Sequence, residues 1–374
     1  MDVSVGATAA SNPFMVNGTD TEALGATLTF NPSVFHEDED TSLTLDGAIV
    51  FEQYFDSYGG DVSLDLSATS QHRVNERTTV VAGVSVRSSE SAARRYFGGG
   101  NLGELEPGEF PESPLIDPTL GNLAGRTTRF DVNTSVEHVL NPTSSLSGSA
   151  GFGLTRAEGG AGEDYRNVSL GTTYTRRLTA RTSLLTTIDA GYADYIGQQA
   201  GDGLFVSGLA GIQRQFSASV NLSAQLGASV VSSETLGGGR DTTLGWAGNF
   251  DLCDSDERET LCINGSRSAQ PTSLRGLTTV SSIAVSYERS FGPEGSISAT
   301  ASYARTSQSQ NSFLLPINSE SELLNVSATY RRTLGQRVSA FVTPSFTSIA
   351  DEFSSRRENY QVMLGLSYYF GRLR

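Results

Sequence analysis

Apolar and polar residues alternate strictly along residues 358–370, the last regular segment of the chain. The apolar parity consists of Tyr360, Val362, Leu364, Leu366, Tyr368 and Phe370. The other parity is mostly small or polar. Successive side chains of a strand point to opposite faces, and an apolar face of about eleven residues suits a tilted strand that crosses a bilayer. The pattern therefore predicts a transmembrane strand with its polar parity toward a lumen and its apolar parity toward lipid.

Similar alternation recurs along the whole chain and predicts about sixteen strands, although a count between roughly 14 and 18 also fits the pattern. We therefore predict an all-β fold, a transmembrane antiparallel β-barrel in which residues 1–374 form one domain. Residues predicted to face lipid are Leu64, Leu66, Val84, Leu364 and Leu366. Residues predicted to face the lumen are Asp65, Ser85, Gly365 and Ser367.

The connections between the predicted strands are of two kinds. Those after even-numbered strands are short, for example residues 36–40, 74–78 and 140–144. Two long interruptions, residues 89–128 and 232–276, both follow odd-numbered strands. Bacterial outer-membrane barrels have short periplasmic turns and longer extracellular loops. We therefore predict a location in the bacterial outer membrane, with the short connections periplasmic and the two long ones extracellular.

The composition excludes several classes of protein. Hydrophobic residues make up 37% of the chain and the mean hydropathy is −0.22. No apolar run approaches the roughly 18 residues of a transmembrane helix, which excludes a helical membrane protein. The net charge of −15 disfavours nucleic acid as a partner. Residues 1–6 already have the pattern of a strand and no signal peptide is recognisable, so we expect the numbering to describe a mature exported chain.

No residue pattern in the sequence indicates catalysis, a cofactor or a bound metal. The three histidines, His36, His72 and His138, lie at or beside three different predicted turns, and none belongs to a recognisable serine motif. The acidic residues of 37–40 and 251–257 could hold a divalent cation, but a solvated acidic surface is the preferred interpretation. We therefore predict that the chain is not an enzyme and has no cofactor-binding or metal site.

The two cysteines of the chain, Cys253 and Cys262, lie close together within the predicted loop 232–276. In an exported protein, such a pair favours a local disulfide, and two free thiols are the alternative. We predict a disulfide in this extracellular loop.

Charged residues on the polar parity of the strands are the candidates for the wall of a pore. They are Asp46, Glu52, Asp65, Arg87, Asp131, Glu137, Asp189, Glu288 and Arg331. Most of them are acidic. A barrel of about sixteen strands is wide enough for an aqueous channel. We therefore predict an outer-membrane pore for the passive or gated passage of small polar solutes, with a preference for cations or neutral molecules. The alternative is a lumen that is plugged by loops of the chain.

The predicted sixteen-strand pattern, the short turns and the long third loop resemble the general bacterial porins. In that family, the loop between strands five and six folds into the barrel and narrows it. The resemblance implies that residues 89–128 form a constriction loop in this chain. Its carboxylates would be Glu104, Glu106, Glu109, Glu112 and Asp117.

Three segments, residues 10–14, 51–55 and 70–78, resemble outer-membrane barrels of proteobacterial exopolysaccharide clusters. This resemblance implies an alternative function, in which the barrel acts through its loops in the secretion or attachment of surface polysaccharide. The partners expected from both resemblances are outer-membrane lipid and lipopolysaccharide, small polar solutes or polysaccharide, and either a homotrimer or a secretion-complex partner.

Overall fold

The computed structural model describes residues 1–16, 21–55, 58–89, 126–158, 164–196, 201–234, 239–272, 277–307, 320–351 and 356–371. Its strands are β1 Asp2–Ala10, β2 Ala23–Asn31, β3 Ser33–Glu37, β4 Thr41–Tyr54, β5 Gly60–Asn75, β6 Thr78–Ser89, β7 Thr127–Asn141, β8 Ser144–Ala157, β9 Asp164–Thr179, β10 Thr182–Ile196, β11 Asp202–Gln215, β12 Val220–Glu234, β13 Arg240–Ser255, β14 Glu259–Pro271, β15 Leu277–Ser290, β16 Gly295–Ser307, β17 Ser321–Thr333, β18 Val338–Asp351 and β19 Arg357–Tyr369. In these ranges, no helix is long and apolar enough to span a membrane.

The strands form one closed antiparallel barrel. Each strand pairs with its neighbour in the sequence, and β19 pairs with β1 from Asp2↔Tyr369 to Ala10↔Gln361. Strands β2 and β3 both pair with β4 and are two parts of one barrel strand. They are separated at Pro32, which has no N–H for the ladder. The nineteen segments therefore make a barrel of eighteen strands.

The predicted count of about sixteen strands was wrong by two, and the error lies in residues 232–276. We interpreted this segment as a long extracellular loop, but it contains β13 and β14, joined by the short turn 256–258. The segment resembles a loop because the loop-side part of β14, residues 268–271, lacks the apolar alternation of the other strands. The position of β14 in the barrel, described below, gives the physical reason.

The two ends of the barrel differ in their connections. At one end, here called the turn end, every connection is short, and residues 2 and 369 pair there. The opposite end, here called the loop end, carries the connection between β6 and β7. The sorting of connections by length agrees with the sequence-based prediction. Residues 90–125 of the predicted loop 89–128 lie outside the described residues, so the constriction loop stays a prediction.

One parity of the strands forms the outer surface and is strongly apolar. Leu244 is 76% exposed and Leu366 is 53% exposed, whereas the adjacent Ser367 is 4% exposed. Residues 64, 66, 84 and 364 share the outer face with Leu366 through the strand registers. The residues predicted to face lipid therefore lie on the outer face, and their polar neighbours lie on the inner face.

Candidate functional site: the lumen wall

The inner face of the barrel can be recognised from contacts between strands that are not neighbours. Tyr165 of β9, Tyr195 of β10 and Val231 of β12 share one buried cluster with Leu277 of β15. Outward side chains of a convex wall diverge, so residues of these separate strands can meet only inside the barrel. From Tyr165, Tyr195 and Val231, the registers of the ladders assign the inner parity to every other strand.

All nine predicted pore-lining residues lie on this inner parity, but they do not form one site. Three of them are close together on neighbouring strands near the loop end, namely Asp65, Arg87 and Asp131. The others are distributed over the height and circumference of the wall: Asp46, Glu52, Glu137, Asp189, Glu288 and Arg331.

Ion pairs fix the charged part of the wall on β5–β7. The guanidinium Nε of Arg87 lies 3.3 Å from a carboxylate oxygen of Asp65 on the neighbouring strand. Arg129 lies directly opposite Arg87 in the ladder and binds Asp131 at 2.8 Å. Because each arginine has its own carboxylate, two like charges can lie side by side at low cost. This part of the wall is electrically nearly balanced.

Further ion pairs bind two other arginines of the wall. Arg126 binds Asp61 at 2.9 Å, and the carboxylate of Asp61 is almost fully buried. At the turn end, Arg331 lies 3.6 Å from Asp2 and donates to the Ser367 hydroxyl. We expected loop carboxylates to oppose Arg87 or Arg331. In the structure, carboxylates of the barrel strands already contact both arginines.

Two carboxylates on other strands of the wall, Asp189 and Asp251, have no arginine partner among the described residues. Asp189 lies opposite Gly171 in the ladder, where the missing side chain leaves room for the carboxylate. Asp251 accepts a hydrogen bond from the Asn264 side chain at 3.0 Å. Within the described part of the chain, neither Asp189 nor Asp251 forms an ion pair. The wall of β10–β14 therefore carries uncompensated negative charge.

The loop end is narrowed by the ends of β14 and β15. The ladder between β13 and β14 runs from Ser255↔Thr260 only as far as Gly248↔Arg267, whereas β14 and β15 stay paired up to Pro271↔Leu277. Residues 268–272 and 277–278, here called the inner hairpin, lie beyond the end of that ladder, and Ala269 and Leu277 pack in the lumen against Tyr195 and Val231. There the Thr272 backbone N–H donates to the Tyr195 hydroxyl at 3.2 Å. Because this part of β14 packs on protein, it needs no apolar lipid face.

A second described segment also enters the lumen at the loop end. The backbone N–H of Asn12 donates to the side-chain oxygen of Asn359 on the inner face of β19 at 2.9 Å. Arg357 donates to the carbonyl of Met15, whose side chain is buried. Glu52, a predicted pore residue, is also buried at this end and accepts a hydrogen bond from the Tyr54 hydroxyl at 2.8 Å. The lumen is therefore narrow at the loop end.

The inner face is more open at the turn end. Glu137 and Glu288, two predicted pore residues, are exposed there, and so is Gln71 on β5. Asp46 is half-buried. The neighbouring inner positions are mainly hydroxyl residues. The lumen is thus a polar space that is open at the turn end and constricted at the loop end.

The two cysteines join β13 and β14 inside the barrel. Cys253 and Cys262 are direct ladder partners, and the structure has a disulfide between them. Its position differs from the expected one, because the bond lies at the turn end rather than in an extracellular loop. The prediction had assigned both residues to one loop because their strands were not recognised.

Removal of this disulfide is expected to weaken the barrel only locally. In the chain-entropy model, a loop of about nine residues contributes roughly 2–3 kcal/mol. We expect Cys253→Ser with Cys262→Ser to lower the unfolding free energy by no more than this amount. Urea unfolding in lipid vesicles, compared with the oxidised wild-type chain, measures the effect, and the reduced wild-type chain is the control. A much larger loss of unfolding free energy would show that the disulfide stabilises more than the turn between β13 and β14.

Sequence reasoning missed several residues of the wall, including Asp61, Arg129 and Asp251. Arg129 stands two residues before Asp131 and has the same parity, but the predicted strand began at Phe130. Asp61 lies in β5, but the predicted strand began one residue later, at Val62. Asp251 fell in the segment interpreted as a loop. Extending each alternating pattern by two residues would have found the first two.

The closed barrel, its even number of strands and its apolar outer face decide the location of the chain. Only closed barrels and helices can satisfy every backbone group within a bilayer. Even-stranded barrels with short turns at one end belong to bacterial outer membranes. The chain is a bacterial outer-membrane β-barrel.

No protein-family model matches the chain, and no curated protein does. Among solved structures, it is similar to the FrpB iron transporter (F3-3 variant) from Neisseria meningitidis, with 10% identity and a TM-score of 0.46, covering 93% of this chain and 62% of that one. It is also similar to the outer membrane protein opdK from Pseudomonas aeruginosa, with 15% identity and a TM-score of 0.44, covering 98% and 97%. OccK2 (OpdF) from Pseudomonas aeruginosa, in complex with glucuronate, has 10% identity and a TM-score of 0.43, covering 98% and 97%.

The chain thus spans about three fifths of the FrpB chain and nearly the whole length of the other two. At these identities and scores, no functional conclusion follows from the three similarities. None of the three names concerns exopolysaccharide, so the expected role in surface polysaccharide stays a prediction.

Proposed function

We propose that the chain is an outer-membrane channel through which small polar solutes diffuse, with a preference for cations over anions. The observation that supports it is the polar inner wall, which is exposed at the turn end and carries hydroxyls and carboxylates. An eighteen-strand barrel is wide enough to leave an aqueous space. Polar walls of this kind accept hydrated solutes and exclude apolar ones.

The charge distribution supports the preference for cations. Asp65 and Asp131 are each paired with an arginine, so they contribute little to the electric field in the lumen. Asp189 and Asp251 have no ion pair among the described residues. A cleft with walls of low dielectric and unbalanced negative charge raises the local concentration of cations.

Liposome swelling tests the channel function. The purified chain is inserted into liposomes, which are then diluted into isosmotic solutions of neutral sugars of increasing size. We expect swelling that is fast for a pentose and slower for a disaccharide, because the loop end is narrow. Protein-free liposomes and liposomes with the heat-denatured chain are the controls. Swelling no faster than in these controls would contradict the proposal.

A further inference from the structure

Three neighbouring strands carry oxygen-bearing side chains at one level of the lumen wall. Gln225 of β12 and Asn249 of β13 are direct ladder partners on the inner parity. Asp251 is the next inward residue of β13 toward the turn end, and its ladder partner on β14 is Asn264. Side chains that are directly opposite have Cβ atoms about 4.5–5.5 Å apart, so these four lie together on the concave face of the wall. We call Gln225, Asn249, Asp251 and Asn264 the oxygen cluster.

Two carbonyl oxygens of the oxygen cluster have no hydrogen-bond donor among the described residues. They are the buried side-chain oxygens of Gln225 and Asn249. Ser266, the ladder partner of Asn249 on β14, shares a hydrogen bond of 2.8 Å with Ser282 instead. Gly211, the ladder partner of Gln225 on β11, has no side chain that could donate. Buried polar atoms without a partner are costly, so two of them side by side favour a bound cation or water.

Asp251 provides the negative charge of the oxygen cluster. Its carboxylate accepts a hydrogen bond from the Asn264 amide at 3.0 Å, and Asn264 is only 6% exposed, so the carboxylate is held in place. On the other side, the ladder partner of Asp251 is Ser223 of β12, which is also on the inner parity. Carboxylate and carbonyl oxygens are the ligands that hard cations prefer.

The surrounding wall has no positive charge that could neutralise Asp251. The inner positions of β10–β16 contain no lysine, arginine or histidine, and they include three further carboxylates, Asp189, Asp241 and Glu288. A cation at the oxygen cluster is therefore attracted by carboxylates and meets no basic side chain of these strands.

The oxygen cluster can be reached from the open end of the lumen. Gln225, Asn249 and Asp251 are half-buried, so each of them is partly accessible. They lie between the disulfide at Cys253, toward the turn end, and the inner hairpin, toward the loop end. An ion that enters at the turn end therefore reaches them without passing the constriction.

The kinds of ligand indicate which cation fits the oxygen cluster. Among the described residues, no three side chains of aspartate, glutamate, histidine or cysteine are placed to hold a metal ion together. The oxygen cluster thus offers one charged ligand and several neutral ones. Mg²⁺ requires near-octahedral geometry and loses water reluctantly, whereas Ca²⁺ accepts roughly six to eight oxygens, including carboxamides and water, in flexible geometry.

We propose that the oxygen cluster binds Ca²⁺, with the Asp251 carboxylate and the side-chain oxygens of Gln225 and Asn249 as ligands and water completing the coordination. With a single charged ligand, the expected dissociation constant is about 10⁻⁴–10⁻³ M. The sequence did not indicate this site, because its ligands belong to two strands and residues 251–257 were interpreted as a solvated acidic surface. The site goes beyond the proposed channel and does not require that solutes pass through the barrel.

Equilibrium dialysis against radioactive Ca²⁺ measures binding by the intact barrel, folded in detergent free of lipopolysaccharide. The buffer contains about 0.2 M KCl, which screens exposed carboxylates. We expect one saturable site per chain. Asp251→Asn should raise the dissociation constant about tenfold or more. Gln225→Leu combined with Asn249→Leu should do the same, although it removes only neutral ligands and keeps the net charge.

Asp254→Asn is the matched control, since it removes the same charge from β13 on the outer parity and should leave Ca²⁺ binding unchanged. Heat-modifiable migration in electrophoresis verifies that each variant is folded. The proposal would be overturned by the absence of a saturable site in the wild-type barrel, by unchanged binding in either cluster variant, or by an equal loss in Asp254→Asn. Competition by Mg²⁺ at the same concentrations as Ca²⁺ would indicate charge screening and would also overturn it.

The dialysis experiment separates this proposal from the proposed channel, because binding in detergent needs no continuous pore. A folded barrel without Ca²⁺ binding would contradict the Ca²⁺ site and leave the channel unaffected. A barrel that binds Ca²⁺ at the oxygen cluster but gives no conductance would contradict only the channel.

Discussion

Asp189→Asn combined with Asp251→Asn is expected to reduce the cation preference of the channel. Both carboxylates face the lumen and lack an ion pair among the described residues, so their removal lowers the cation concentration at the wall. In a tenfold KCl gradient, we expect the reversal potential to move toward zero by on the order of 10 mV. The shift should be larger at low salt, where screening is weak. Bilayer recordings of the reconstituted chain measure it.

Asp254→Asn is the matched control for this change. It removes the same charge from the same strand as Asp251, but on the outer parity near the turn end. We expect Asp254→Asn to leave the reversal potential unchanged apart from a small effect of net charge. An equal shift in the control, or none in the double variant, would show that Asp189 and Asp251 do not set the selectivity.

Leu364→Arg should destabilise the barrel strongly. Leu364 lies at the middle of β19 on the outer face, is 56% exposed, and has Ala7 and Val342 as its ladder neighbours. An arginine near the bilayer midplane of such a barrel costs about 2–4 kcal/mol. Urea unfolding in lipid vesicles, followed by the loss of β-sheet circular dichroism, gives the change in unfolding free energy.

Met363→Arg provides the comparison, because it changes the adjacent residue on the opposite face. Met363 lies between Thr8 and Thr343 in the ladders, where an arginine can reach water in the lumen. We expect a loss of less than about 1 kcal/mol, in the range of ordinary surface substitutions. A larger loss of unfolding free energy for Met363→Arg than for Leu364→Arg would mean that Met363 faces lipid and Leu364 faces the lumen.

The two faces of the wall could be predicted from the sequence because alternation is a local property of each strand. The assignment of Leu366 to lipid and Ser367 to the lumen needed only the pattern of β19. Pro344 of β18 has no N–H for the ladder, and the pairs of β17 and β18 skip that position.

Contacts between strands could not be predicted in this way, since the sequence of one strand does not determine its register with the neighbouring strand. The pairing of Arg87 with Asp65, and its position opposite Arg129, depend on three strands at once. Strands β13 and β14 were missed for a different reason. The loop-side part of β14 packs inside the barrel, so the usual apolar signal of a lipid-facing strand is absent from its sequence.

A water-filled path through the barrel is tested most directly by single-channel recording of the purified chain in a planar bilayer. The proposed channel predicts discrete, ohmic conductance steps whose reversal potential in a KCl gradient indicates a preference for potassium. Circular dichroism and heat-modifiable migration of the same preparation show that the barrel is folded. A folded preparation that inserts into the bilayer and gives no conductance steps would contradict a continuous aqueous path and, with it, the proposed function.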